Sequence, residues 1–137
     1  MSESFQLREA YVAVPETVPK ARRALAEAAE GAGATGVTLD NVRLAVSEAV
    51  TNAVRHAYPD ASGAVLLAAS MVDDSLCILI ADAGRGLTMA GERPVSLGLG
   101  LPLMATSSDA LTVEDGPCGG LAVRLRFDLA PDGVATN

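Results

Sequence analysis

Leu39, Val42, Val46, Ala49, Val50, Ala53 and Ala57 recur at steps of three and four residues. That spacing lays apolar side chains along one stripe of a helix and predicts an α-helix over 39–57, ended by Pro59. A second helix is predicted over 17–30. Pro19 falls in its first turn, where backbone N–H groups have no intrahelical acceptor, and Gly31 and Gly33 supply its stop. Residues 31–36 read as a loop, and 5–14 as a strand ended by Pro15.

Two nearly continuous apolar runs follow, 64–72 and 75–82, joined at Asp73-Asp74. They predict adjacent strands, a hairpin buried on at least one face. In 121–129, Leu121, Val123, Leu125, Phe127 and Leu129 alternate with Ala122, Arg124, Arg126 and Asp128, so one face of that strand is dry and the other wet. Residues 110–114 predict a shorter closing strand, and 99–105 a short helix opened by Gly98-Leu99-Gly100. The stretch 87–97 has no periodicity and reads as a lid. This element order predicts an α/β (α+β) two-layer sandwich, with helices on one face of a mixed, mainly antiparallel sheet.

Composition narrows the class. A chain of 137 residues, half of them apolar, suits one domain over 1–137, with a core over about 5–129 and a polar tail over 130–137. A net charge of -7 opposes direct binding to nucleic acid, because phosphate backbones repel an acidic surface. Cys77 and Cys118 have no paired spacing, which argues against a zinc site or a disulfide scaffold and for thiols in a reducing compartment. No charged-then-apolar start resembles a signal peptide, and Asp73-Asp74-Ser75 interrupts the longest apolar stretch. The expectation is a cytoplasmic protein that does not enter a membrane.

The candidate chemistry gathers in three places. Glu48, Asn52 and His56 recur every four residues and so share one face of a regular helix. A carboxylate there can orient or deprotonate an attacking hydroxyl, and an amide oxygen is a hard ligand suited to Mg²⁺ beside phosphate oxygens. Asp82 ends an apolar strand and precedes Gly84 and Gly86. A carboxylate so placed can accept from an exocyclic amine, while the glycines let backbone approach a planar ring. Gly98 and Gly100 precede a predicted helix, whose first N–H groups favour phosphate oxygens. His56, near the predicted helix end, suits capping or packing beside Tyr58 better than catalysis.

In their order and spacing, Glu48-Ala-Val-Thr-Asn52-Ala-Val-Arg-His56-Ala57-Tyr58, Asp82-Ala-Gly84-Arg-Gly86 and Gly98-Leu99-Gly100-Leu101 resemble the N box and two glycine boxes of the GHKL (histidine-kinase-like) ATPase superfamily. The resemblance spans roughly 10–128, and the His-Ala-Tyr ending is closest to the anti-sigma factor serine/threonine kinase branch. It implies the Bergerat ATP-binding fold, ATP and Mg²⁺ as cofactors, and transfer of phosphate to a serine of a STAS anti-anti-sigma protein. A sigma factor would be the other partner, and the working form a homodimer. By the same resemblance Glu48 is the catalytic residue and Asn52 holds the metal. Asp82, Gly84 and Gly86 meet the adenine, and Gly98, Leu99, Gly100 and Leu101 the phosphates.

Two departures from the family pattern stand out. The positions before Gly98 are Val95, Ser96 and Leu97 where the family often has a basic residue, so Arg93 is the nearest substitute for a contact to the terminal phosphate. The lid is also short. Two alternatives stay open: a nucleotide-binding partner-switching module with little transfer activity, and a catalytic domain serving a histidine phosphoacceptor in trans.

Overall fold

A computed structural model describes residues 3–57, 63–82, 101–115 and 120–129. Along the chain come β1 (Glu3–Val12), α1 (Thr17–Gly31), α2 (Gly36–Asn52), a π-helical turn (Ala53–Ala57), β2 (Ala64–Val72) and β3 (Ser75–Asp82). The remaining elements are α3 (Leu101–Ser107), β4 (Ala110–Asp115) and β5 (Leu121–Asp128). The strands form one sheet in the order β1-β2-β3-β5-β4. All four neighbouring pairs are antiparallel, so the expected mixed, mainly antiparallel sheet is antiparallel throughout its described part.

The β2–β3 hairpin closes at Val72 and Ser75, the bounds predicted from the two apolar runs. Asp73 turns the chain with φ 56°, a left-handed conformation that Asp adopts more readily than most residues. From the end of β3 the chain runs through 83–109 to β4 at the sheet edge, and β5 then returns between β4 and β3. The connection leaving Asp82 is thus the long crossover of the fold.

Alternation decides which face of the sheet is dry. Val65, Leu67, Ala69 and Met71 of β2 are buried, as are Leu76, Ile78 and Ile80 of β3 and Val123, Leu125 and Phe127 of β5. They form one core with Leu25 of α1, Val42, Val46 and Val50 of α2 and Met104 of α3. Each large side chain fully buried there contributes roughly 1.5–3 kcal/mol relative to exposure. The helices lie side by side with α2 in the middle: α1 meets β1 and β2, α2 meets β3 and β5, and α3 meets β4. This is the expected two-layer sandwich.

The observed helices differ from the predicted ones at their ends. The long helix starts at Gly36 rather than Leu39 and stops being α-helical at Asn52, where the π-helical turn takes over. A π turn widens the ring from an i→i+4 to an i→i+5 bond and shifts the helical phase. The short helix is described over Leu101–Ser107, two residues beyond its predicted end at 105, and its predicted start at 99 lies outside the described residues. Helix α1 ends at Gly31, and Gly33 takes φ 110° in the loop that follows. Strand β1 ends at Val12, two residues before its predicted end.

No helix among the described residues is long and apolar enough to cross a membrane. Tyr58, the turn at 59–62, the lid over 87–97, Cys118 and the tail from 130 onward lie outside the described residues.

Candidate functional site

The site is built where the end of α2 meets the middle of the sheet. In α2, Glu48 is half-buried and Asn52, one turn later, is only 9% exposed. Asn52 follows the core residues Ala49 and Val50, and Ala53 beyond it is buried too. An amide so enclosed ordinarily finds a hydrogen-bond partner, since leaving one unmet costs on the order of 1–3 kcal/mol. Among the described residues the Asn52 side chain has none. The other two buried polar residues described are Thr17 and Ser107, and the Thr17 hydroxyl donates to the Val12 carbonyl oxygen.

Glu48 is positioned by the packing of α1 on α2. Next to it, Ser47 accepts a 3.3 Å hydrogen bond from Nη1 of Arg22 on α1, pinning the two helices together one residue before the carboxylate. The four-residue spacing keeps Glu48 and Asn52 on neighbouring turns of the same α-helix. His56 falls in the π-helical turn, so the face that a regular helix would share with Glu48 and Asn52 ends at Asn52. The resemblance of the helix in sequence thus extends further than its regular geometry.

Asp82 is placed by strand parity. It is two residues beyond Ile80 and six beyond Leu76, so it projects to the helix-bearing face of the sheet. The π-helical turn that follows Asn52 contacts β3, the strand that Asp82 ends. The regular β3–β5 pairing stops at Ala81 and Ala122. One step further, the backbone N–H of Leu121 donates to Oδ1 of Asp82 at 3.2 Å, so a side chain continues the ladder where the strands diverge. Just before Leu121, Gly120 is buried and takes φ 78°, a conformation that favours glycine. Sequence reasoning missed this donor because a backbone N–H carries no residue signature. The one available signal was the Gly119-Gly120 pair before an alternating strand.

Of the predicted site residues, the structure describes the side chains of Glu48, Asn52 and Asp82 and brings their elements together over β3. Leu101 is the first residue of α3. Gly84, Gly86, Arg93, Gly98, Leu99 and Gly100 lie outside the described residues. No group of three or more His, Cys, Asp or Glu able to hold a metal ion is found among the described residues. The donor set fits a hard ion that keeps part of its coordination for phosphate and water, held by one protein amide oxygen. A separate concavity of about 430 Å³ opens on the other face of the sheet, lined in part by Arg8, Cys77, Arg124 and Arg126. Arg124 and Arg126 there are paired with Glu114 and Asp128 at 3.2 and 2.9 Å.

Comparisons with known proteins bear on the family and the fold. Residues 11–127 match the model of the histidine kinase-like ATPase domain. An anti-sigma F factor of Caldanaerobacter subterraneus is 33% identical over 95 residues, covering 62% of this chain and 66% of that protein. A serine-protein kinase RsbW of Oceanobacillus iheyensis is 38% identical over 78 residues, covering 56% of this chain and 49% of the relative. The matches thus span just under two thirds and about half of these two relatives' lengths. Among solved structures, the RsbU and RsbW domains of a Mycobacterium tuberculosis protein superpose with a TM-score of 0.72 at 25% identity, covering 92% of this chain and 32% of that one. The chain belongs to the histidine kinase-like ATPase (GHKL) family, in its anti-sigma factor kinase branch.

Proposed function

We propose that the protein is a Mg²⁺-ATP-dependent serine/threonine kinase that acts as an anti-sigma regulatory factor. It phosphorylates a serine of a STAS anti-anti-sigma protein and, in its other state, holds a sigma factor. The observation that carries this reading is the buried carboxamide of Asn52, without a partner among the described residues and one helical turn from the half-buried Glu48. A protein retains such a group against its desolvation cost when a ligand satisfies it.

In this reading Asp82 accepts from the exocyclic amine of adenine, and Gly84 and Gly86 let the backbone pack against the base. Asn52 holds Mg²⁺, which when bound neutralises charge on the phosphates. Gly98, Leu99, Gly100 and Leu101 contact the phosphate chain, and Arg93 reaches its terminal group. Glu48 orients the substrate serine and takes its proton as the hydroxyl oxygen attacks the γ-phosphorus, with ADP leaving. The protein works as a cytoplasmic homodimer whose domain occupies the whole of 1–137. Both partners compete for one surface, so phosphorylation of the STAS protein shifts the balance toward sigma capture.

The test is transfer of label from γ-labelled ATP to a STAS protein, comparing the wild type with Glu48→Ala. The wild type is expected to yield an acid-stable phosphoserine. Glu48→Ala is expected to bind ATP with unchanged affinity and to lose transfer by about 10²–10⁴-fold, the usual range for removing a general base. An acid-labile product would overturn the serine-kinase reading, and so would undiminished transfer by the variant.

A further inference from the structure

Helix α2 carries an outward stripe that core packing does not account for. Val37, Asn41, Leu44 and Glu48 follow one another at steps of four, three and four residues, the spacing of one seam of a coiled coil. Val37 is 73% exposed, more than any other large apolar side chain among the described residues, and Leu44 is 40% exposed. Helix α2 meets the core through Val42, Val46 and Val50, which the helical repeat sets on the other side of its axis. The stripe ends at the half-buried Glu48, one turn beyond Leu44.

A cationic cleft flanks the stripe on the α1 side. A concavity of about 410 Å³ is lined by Arg22, Arg23 and Arg43, with Glu27 and Glu30 one and two turns beyond Arg23 along α1. Nη1 of Arg22 donates to Ser47 and Nη1 of Arg43 to Asp40, both at 3.3 Å, whereas Arg23 has no hydrogen-bond or ion-pair partner among the described residues. With Lys20, these arginines are four of the ten basic residues of a chain whose net charge is -7. On so acidic a protein, a local concentration of cations favours an acidic partner.

We infer that the stripe and the cleft together dock the phosphoacceptor protein, which lays an amphipathic helix along α2. Its apolar side chains cover Val37 and Leu44, its acidic flank faces Arg23 and Arg43, and its serine comes to Glu48. The inference rests on the proposed kinase reading and adds to it how the protein substrate is recognised. From Val37 to Glu48 the stripe runs about 16 Å, some three turns of a docked helix. Asn41 is half-buried between Val37 and Leu44, and a polar group in an apolar seam fixes register. Register matters because a slip of one helical turn moves the serine by about 5 Å from the carboxylate.

The experiment uses a STAS protein as the probe and the full chain as wild type, Val37→Gln/Leu44→Gln and Arg23→Glu. Equilibrium titration gives the affinity for the STAS protein, and steady-state transfer from Mg²⁺-ATP separates KM for that protein from kcat. Glutamine suits an exposed helical position and adds no charge near Glu48. Each variant is expected to weaken STAS binding and raise its KM by about tenfold or more, with ATP affinity and kcat at saturation unchanged. Added salt is expected to weaken binding by the wild type more than by Arg23→Glu. Unchanged STAS affinity in both variants would overturn the docking surface while leaving the kinase reading intact. So would a changed oligomeric state in the glutamine variant at unchanged STAS affinity, which would give the stripe to a second copy of the chain. A wild type that binds the STAS protein through these residues but transfers no phosphate would overturn the kinase reading and keep the surface; a wild type that does not bind it would overturn both.

Discussion

The Thr17 hydroxyl donates to the carbonyl oxygen of Val12, five residues back, and ties the start of α1 to the end of β1. Thr17 is 3% exposed, and the residue before it, Glu16, makes no side-chain cap bond to the helix. Thr17→Val keeps the volume and removes the hydroxyl. It is expected to lower stability by about 1 kcal/mol, the typical net value of one hydrogen bond. Denaturant unfolding checks this, with a lower midpoint and an unchanged slope.

Asn52 should behave in the opposite way. Its buried amide has no partner among the described residues, so its removal relieves a desolvation cost. Asn52→Ala is expected to leave stability unchanged or to raise it by up to about 1 kcal/mol. The same variant is expected to lose the Mg²⁺-dependent part of its ATP affinity. Thermal unfolding of the apo protein, beside calorimetric titration of ATP with and without Mg²⁺, reads both quantities. A clear loss of stability would make Asn52 a structural residue.

Tyr11 predicts an alkaline limb to the stability profile. Its hydroxyl donates to Glu9 on the same strand; this bond, helped by partial burial and by the negative charge of Glu9, pushes the phenol up to about 12 from its ordinary 10.0. The folded state therefore holds the phenol proton more tightly than the unfolded state. The contribution is complete below pH 10, declines as pH rises from 10 toward 12, and is gone above that. Denaturation midpoints measured across this window are expected to fall more steeply in the wild type than in Tyr11→Phe. Parallel profiles would show that the Glu9 bond does not persist in solution.

Asp128 should act on the acid side. Hydrogen bonds from Ser75 and then Arg126 hold its carboxyl below the ordinary 3.8. A depressed carboxyl contributes stability above its unfolded value and loses it as pH falls through the lower folded one, so Asp128→Asn is expected to flatten the profile below about pH 4. The group is exposed, and added salt is expected to weaken the Arg126 part of the effect. Denaturant midpoints from pH 2 to 6, at low and high salt, test both statements.

The sequence by itself determined the elements whose burial is periodic. The hairpin bounds at Val72 and Ser75 were legible because two apolar runs flank a pair of aspartates, and the alternation in β5 named its dry face. The end of the second apolar run also let Asp82 be assigned to a strand end, and a four-residue step put Glu48 and Asn52 on adjacent turns. These are local consequences of fixed backbone repeats, which side-chain hydropathy reports directly. Tertiary structure decided the rest. The π-helical turn after Asn52 contacts β3, and nothing in Ala53–Ala57 distinguishes it in sequence from ordinary helix. The insertion of β5 between β3 and β4 is a long-range choice, and it alone brings the Leu121 N–H to Asp82, thirty-nine residues away in the chain. A donor supplied by backbone is the same for every non-proline residue, so only the fold says where it points.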